Sequence, residues 1–205
     1  MELENLLDRF NFYFNKVKSL IKKRMFFYLN FFRYNHLKYG TLVEKQLLIT
    51  NRHRISLGKN ILIFGNGRIE LITSYSGHKH TPTLEIGDYT QIHQNCHITC
   101  GQNIKIGKNV VIVSNVTITD ILHPHANVEF PINLNPIKTK PVIIEDEVYV
   151  YNNVVILPGV KIGKHSIVAA NSLVNSDVEP YSIVAGSPAK IIKKFNFEIN
   201  QWENL

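Results

Sequence analysis

Cysteine is scarce in this chain, with only Cys96 and Cys100 among 205 residues. Two thiols four positions apart make neither a disulfide framework nor a four-thiolate zinc site. Long apolar runs are also missing. The longest, MFFYLNFF, falls far short of the ~20 residues that cross a bilayer. The opening MELENLLDRF is acidic and lacks an apolar stretch ending in a small-residue cleavage site, so no secretory leader is expected. A cytoplasmic location is the expectation, with the inner face of the membrane as its variant. Charge is unevenly spread: residues 1–40 hold eight Lys/Arg against three Asp/Glu, a local +5 out of the overall +7. The basicity belongs to that segment rather than to the main body, and a nucleic-acid partner is not expected.

What the chain does contain falls into two languages. Leu3, Leu6, Leu7, Phe10, Tyr13, Phe14, Val17, Leu20 and Ile21 recur at three- and four-residue steps, the spacing of an amphipathic helix. Lys16, Lys18, Lys22, Lys23 and Arg24 accompany it, followed by the aromatic MFFYLNFFRY. Such a helix either caps the end of the main domain, packs on a neighbouring subunit, or makes peripheral membrane contact through residues 1–40. We expect a helical extension over 1–50, a main domain over 51–190 and a tail over 191–205.

From about residue 56 the period becomes six. Ile86, Ile92, Ile98 and Ile104 form one series, and Ile106, Ile112 and Ile118 continue it after a two-residue slip. Ile144, Val150, Ile156, Ile162, Val168 and Val174 resume it later. Four residues on, the side chain is mostly small or β-branched, as at Thr90, Cys96, Val110, Val148 and Ser166. A period of six is neither helix nor hairpin but a repeat architecture, in which each hexapeptide is a short strand plus a corner. Three of them close one triangular coil, with the aliphatic residue pointing inward. The chain is therefore read as mainly β, a parallel β-helix with a helical N-terminal extension. Its rhythm stops at ITDILHPHANVEFPINLNPIKTKPVII, so a loop should protrude at about 119–143, where function concentrates on a rigid scaffold.

The motifs NVTITDILHPH, PVIIEDEVYVYNNVVILPGVKIGKHSIVAANSLV and VAGSPAKII, with the repeats before them, cover roughly residues 56–195. They resemble the hexapeptide-repeat acyltransferases, in the galactoside, maltose and polysaccharide O-acetyltransferase branch. The resemblance implies a left-handed helix, a homotrimer, acetyl-CoA as co-substrate, no metal, and a sugar or glycan acceptor such as a capsular or lipopolysaccharide unit. It places the catalytic histidine at His123, as the base that takes a proton from the attacking hydroxyl, since neutral imidazole titrates near the working pH. Asp120 would orient that imidazole or cap a turn. Tyr149, standing where the family usually has tryptophan, aligns with the acetyl-CoA site, as do Asn152 and Ala170. Lys190 and Lys193 align with basic residues near the CoA phosphates, or are solvated charges at the end of the coil. His93 and Asn95 align near acceptor-binding positions, or are a surface histidine and a corner asparagine. His93 stands where the galactoside-acetylating relatives carry asparagine, so galactoside specificity does not carry over.

Three other readings are open. N-acetylation of an amino sugar-nucleotide would use the same loop. A γ-carbonic-anhydrase-like metalloenzyme would need three converging histidines, for which His93, His97, His78 and His80 are available but not at that family's spacing. A non-enzymatic β-helical scaffold would bind no acetyl-CoA.

Overall fold

The structure is a computed structural model that describes residues 2–125, 129 and 131–205, and the side chains from residue 11 onward. One helix, Glu2–Asn30, precedes a column of short parallel strands. The strands stack into three sheets, and the chain visits them in strict rotation. Coil 1 is His36–Leu37, Leu42–Val43 and Leu48–Ile49; coil 2 is Ile55–Leu57, Leu62–Ile63 and Arg68–Leu71. Coils 3 and 4 follow as Thr83–Ile86, Gln91–Ile92, His97–Cys100 and Asn103–Ile106, Val111–Ile112, Thr117–Thr119. Coils 5 and 6 are Val142–Ile144, Tyr149–Val150, Val155–Ile156 and Lys161–Ile162, Ile167–Val168, Leu173–Val174. The first, second and third strand of every coil build the first, second and third face of a prism.

Every member of the predicted aliphatic series from Ile86 to Val174 is buried in this column. Each buried aliphatic side chain contributes about 1.5–3 kcal/mol of transfer free energy. The corners turn through left-handed backbone that asparagine tolerates. Asn66, Asn95, Asn115, Asn153 and Asn171, all at positive φ, mark the corner between the second and third faces. Two steps of that corner are also tied through side chains, Asn115 Nδ2 to Asn153 Oδ1 at 3.1 Å and Asn153 Nδ2 to Asn171 Oδ1 at 2.9 Å.

Both ends differ from the expected boundaries. Parallel stacking begins at His36, inside the segment read as a helical extension, because Leu37, Val43 and Ile49 are already six apart and pair with Leu57, Ile63 and Ile69 of coil 2. Among the described side chains, the helix meets the core at its C-terminal end, through Phe26 and Phe27. The segment read as a tail is sheet: Ala189–Asn196 pairs antiparallel with Ser182–Gly186, and Gln201–Asn204 with Ala189–Asn196. Aromatic packing holds this addition, with Phe195 and Trp202 at 5.4 Å and Tyr181 and Phe197 at 4.9 Å between ring centroids.

The column is interrupted twice, both times at the corner between the third and first faces. After coil 2 the chain makes a small hairpin, Ser74–Tyr75 with His78–Lys79. After coil 4 it makes the predicted long loop, which leaves at Thr119 and returns at Val142. The loop has a stem, since Ile121 pairs with Thr139 and Leu122 with Lys138 in antiparallel register.

Candidate active site

His123 follows the stem directly, so its position is set by strand pairing rather than by a free loop. Its imidazole meets the ring of Tyr75 edge-on, at 5.3 Å between centroids and 68° between planes. The Tyr75 hydroxyl donates to the carbonyl of Asn133 at 2.9 Å, which ties the small hairpin to the far limb of the long loop. Between them lies a cleft of ≈ 340 Å³ on the outer side of the third face. Thr99, Thr117, Thr119 and His97 provide its polar surface, and Ile72, Ile121, Ile137 and Tyr75 its apolar surface. Cross-strand register places His97 beside Thr117 and Thr99 beside Thr119, so the polar groups stand in two rows. His97 Nε2 lies 3.0 Å from the Thr99 hydroxyl and 3.4 Å from Glu70, which also pairs with Arg68 at 2.9 Å.

Of the two roles open to Asp120, the structure shows the turn cap. Its carboxylate is fully buried and points away into the preceding turn. It accepts hydrogen bonds from the backbone N–H groups of Gly101 at 2.6 Å, Gln102 at 2.8 Å and Asn103 at 2.8 Å. The Cys100 thiol adds a fourth contact at 3.5 Å. With these partners the carboxylate caps the corner of coil 3 and does not orient His123. Gly101 is needed at that corner, because a Cβ there would stand 2.8 Å from Thr139 Cγ2 and 3.1 Å from Ile121 Cγ1, both on the loop stem.

The five residues aligned with an acetyl-CoA site gather elsewhere. Asn152 and Ala170 occupy the same position on consecutive coils, at the corner between the second and third faces. Tyr149 lies on the outer side of the second face, 38% exposed. Its cross-strand row continues through Ile167 and Ile183 to Lys193. A one-residue bulge at Ile192 puts Lys190 and Lys193 on the same side of the added strand, opposite Ala185 and Ile183. An aromatic, two isoleucines and two lysines therefore share one outer surface. Three strand spacings separate Tyr149 from Lys193, about 14 Å. That layout fits an elongated ligand with an anionic end. Lys194 does not belong to it, because its ammonium pairs with Glu179.

His93 and Asn95 sit on the corner shared by Asn152 and Ala170, at coil 3, across the width of the third face from the His123 loop. His93 packs on Phe64, with ring centroids 5.0 Å apart, and Asn95 is exposed with φ 62°. Within one chain, then, the structure joins His123 to neither the His93–Asn95 corner nor the Tyr149–Lys193 surface. It joins His123 to Tyr75 and the three threonines, which the sequence reading did not single out, and to His97, which it named only for the metalloenzyme alternative. The signal available for them was the outward threonine in successive third-face strands. Among the described residues, no group of three or more His, Cys, Asp or Glu side chains is arranged to hold a metal ion.

A triangular column of six-residue repeats, broken by a single long histidine-bearing loop, defines the class of protein: a β-helical transferase scaffold. A family model for the bacterial transferase hexapeptide (six repeats) matches residues 141–176. A hexapeptide-repeat-containing acetyltransferase of Vibrio cholerae O1 biovar eltor, solved in complex with acetyl coenzyme A, is 30% identical with a TM-score of 0.52. The match covers 77% of this chain and 72% of that one. The chain belongs to the hexapeptide-repeat acetyltransferase family, and its coils wind in that family's left-handed sense. A maltose O-acetyltransferase of Clostridium difficile 630 is 28% identical with a TM-score of 0.59, over 71% of this chain and 72% of that one. A putative lipopolysaccharide biosynthesis O-acetyl transferase, WbbJ of Escherichia coli K12, is 35% identical over 57% of this chain. The present chain spans 63% of that relative's length, and 45%, 56% and 32% of three other curated relatives.

Proposed function

We propose that this protein transfers an acetyl group from acetyl-CoA to a sugar hydroxyl of a cell-surface polysaccharide, such as a capsular or lipopolysaccharide unit, or of its precursor. The observation that carries the reading is His123, at the edge of a cleft whose floor is made of hydroxyls and a second imidazole. A hydroxyl-bearing acceptor finds hydrogen-bond partners of both kinds there. The similarity to a maltose O-acetyltransferase and to a lipopolysaccharide O-acetyl transferase supports the same class of acceptor.

In this reading His123 accepts the hydroxyl proton as the sugar oxygen bonds to the thioester carbonyl carbon. The carbon–sulfur bond breaks, and the imidazolium returns the proton to the departing sulfur. The chain's remaining task is positioning, which supplies much of the rate in a two-substrate transfer. Tyr149, Asn152, Ala170, Lys190 and Lys193 would hold acetyl-CoA along the second face. Because that surface and His123 occupy different edges of one prism, we place the complete site between neighbouring copies of a homotrimer.

A thiol-release assay with acetyl-CoA against sugars, oligosaccharides and amino sugar-nucleotides tests this proposal. Release with a hydroxyl acceptor, absent in His123→Ala, is the expected result. Release with amino sugars alone would transfer the protein to N-acetylation, a reaction named for a Staphylococcus aureus relative that is 40% identical over 88 residues.

A further inference from the structure

We infer that the N-terminal helix is a docking surface for an anionic lipid bilayer, on which it lies flat. Among the described residues, no helix is long and apolar enough to cross a membrane, so the contact would be peripheral. Val17, Leu20, Ile21, Met25 and Tyr28 fall on one stripe at helical spacing, and each is between 54% and 65% exposed. The domain does not cover that stripe. It takes hold of the helix near its end, through Phe26, which projects from the opposite side, and Phe27. Beyond the helix, Phe32 is 93% exposed, and Phe27 contacts both Phe31 and Tyr39. The aromatic surface thus continues onto the first coil.

Charge selects the occupant. From Arg9 to Val43 the chain has eight Lys/Arg and no Asp/Glu. By helical angle, Lys18 and Lys22 flank the apolar stripe on one side and Lys16 and Lys23 on the other. Arg24 lies within the stripe, where its long stem can be buried while the guanidinium reaches outward. An apolar stripe between two basic margins, rich in aromatic residues, matches the interface of a bilayer carrying anionic headgroups. A second copy of the helix would bring the same positive run from Arg9 onward, with its acidic residues, Glu2, Glu4 and Asp8, confined to the far end of the helix from Met25 and Tyr28. This inference rests on the helix alone and not on the acyl-transfer reading.

The test is flotation of the full chain with vesicles of phosphatidylcholine alone or mixed with phosphatidylglycerol, read without any turnover. Binding is expected on the mixed vesicles only, weakening as salt is raised. Lys22→Gln with Lys23→Gln should reduce partitioning about 25-fold, at roughly fivefold per basic residue at the surface. Ile21→Gln, an exposed position, should also reduce it while leaving the molar mass by light scattering unchanged. Absence of flotation, or equal flotation on both vesicle types, would overturn the inference. A fall in molar mass in Ile21→Gln would overturn it as well, by assigning the stripe to a second copy.

Discussion

The ring of Tyr75 stands edge-on to the imidazole of His123, and the same tyrosine's hydroxyl holds the carbonyl of Asn133. One side chain from the short hairpin thereby bridges the two limbs of the long loop. Such an aromatic contact is worth about 0.5–1.5 kcal/mol, which as a transition-state loss is roughly two- to tenfold in rate. Tyr75→Ala should lower turnover by that factor in the thiol-release assay, with the KM for acetyl-CoA unchanged. Tyr75→Phe should keep most of the rate, since the ring remains. Equal losses in both variants would shift the role to the hydroxyl, and no loss in either would remove Tyr75 from the site.

Asp120 and His123 are three residues apart and should separate cleanly by experiment. Removing the Asp120 carboxylate leaves three backbone N–H groups at the Gly101–Asn103 corner without their acceptor, at about 1–3 kcal/mol for each one left buried. Asp120→Ala should therefore lower the urea midpoint, corresponding to a loss of about 1–3 kcal/mol for the buried Gly101 amide, with less from the partly exposed other two. His123 is exposed, so His123→Ala should leave the midpoint unchanged while reducing turnover by ~10²–10⁴. A destabilised His123→Ala protein would contradict this division of roles.

The same corner explains how much of the molecule is legible from its sequence. Inward-pointing aliphatics must recur every six residues in a triangular coil, and they do so wherever coils are regular. The two-residue slip before Ile106 is physical: Ile106 pairs with Ile86, twenty residues earlier rather than eighteen, and the surplus lies at Gly101 and Gln102. Asp120 holds that surplus, a long-range partnership that spacing alone does not reveal. An aspartate three residues before the candidate histidine reads equally as an orienting partner or a turn cap, and burial with three aligned amides decides for the cap. Coil 1 carries the six-residue spacing from Leu37 to Ile55, but the aromatic run before it and the exposed Leu47 blur its start. Tyr75 had no signal, because its role depends on a hairpin meeting a loop some sixty residues later.

The two cysteines give a pH dependence. Burial raises the Cys96 thiol from 9.0 to about 11. Burial also pushes Cys100 upward, assisted by the neighbouring Asp120 charge. An acid whose proton is held more tightly in the folded state loses it first from the unfolded chain. Stability should therefore fall as pH rises above the ordinary thiol value of 9.0, continuing through about 11 for Cys96. Denaturation midpoints between pH 8 and pH 11 should show the decline, and Cys96→Ala should make it shallower. Iodoacetamide at pH 8 should leave the folded protein unmodified, since the reactive thiolate is scarce at Cys96 and scarcer at Cys100.

Lys193 and Lys194 are neighbours with opposite prospects, and they give the sharpest test of the acetyl-CoA surface. Lys193 shares its cross-strand row with Tyr149, whereas Lys194 is committed to Glu179 on the other side of the strand. If the anionic end of acetyl-CoA rests on Lys190 and Lys193, removing either charge weakens a charge-assisted contact worth about 1.5–3 kcal/mol. Lys193→Gln and Lys190→Gln should each raise the KM for acetyl-CoA by roughly ten- to a hundredfold, with kcat little changed. Lys194→Gln should leave both constants near their starting values, because it removes only an exposed ion pair. Added salt should weaken acetyl-CoA binding in the parent protein and do so less in the Lys193 variant, because that variant has lost one of the charges being screened. Equal effects at Lys193 and Lys194 would mean that general positive potential attracts the substrate. The ordered row from Tyr149 to Lys193 would then have no part in holding it.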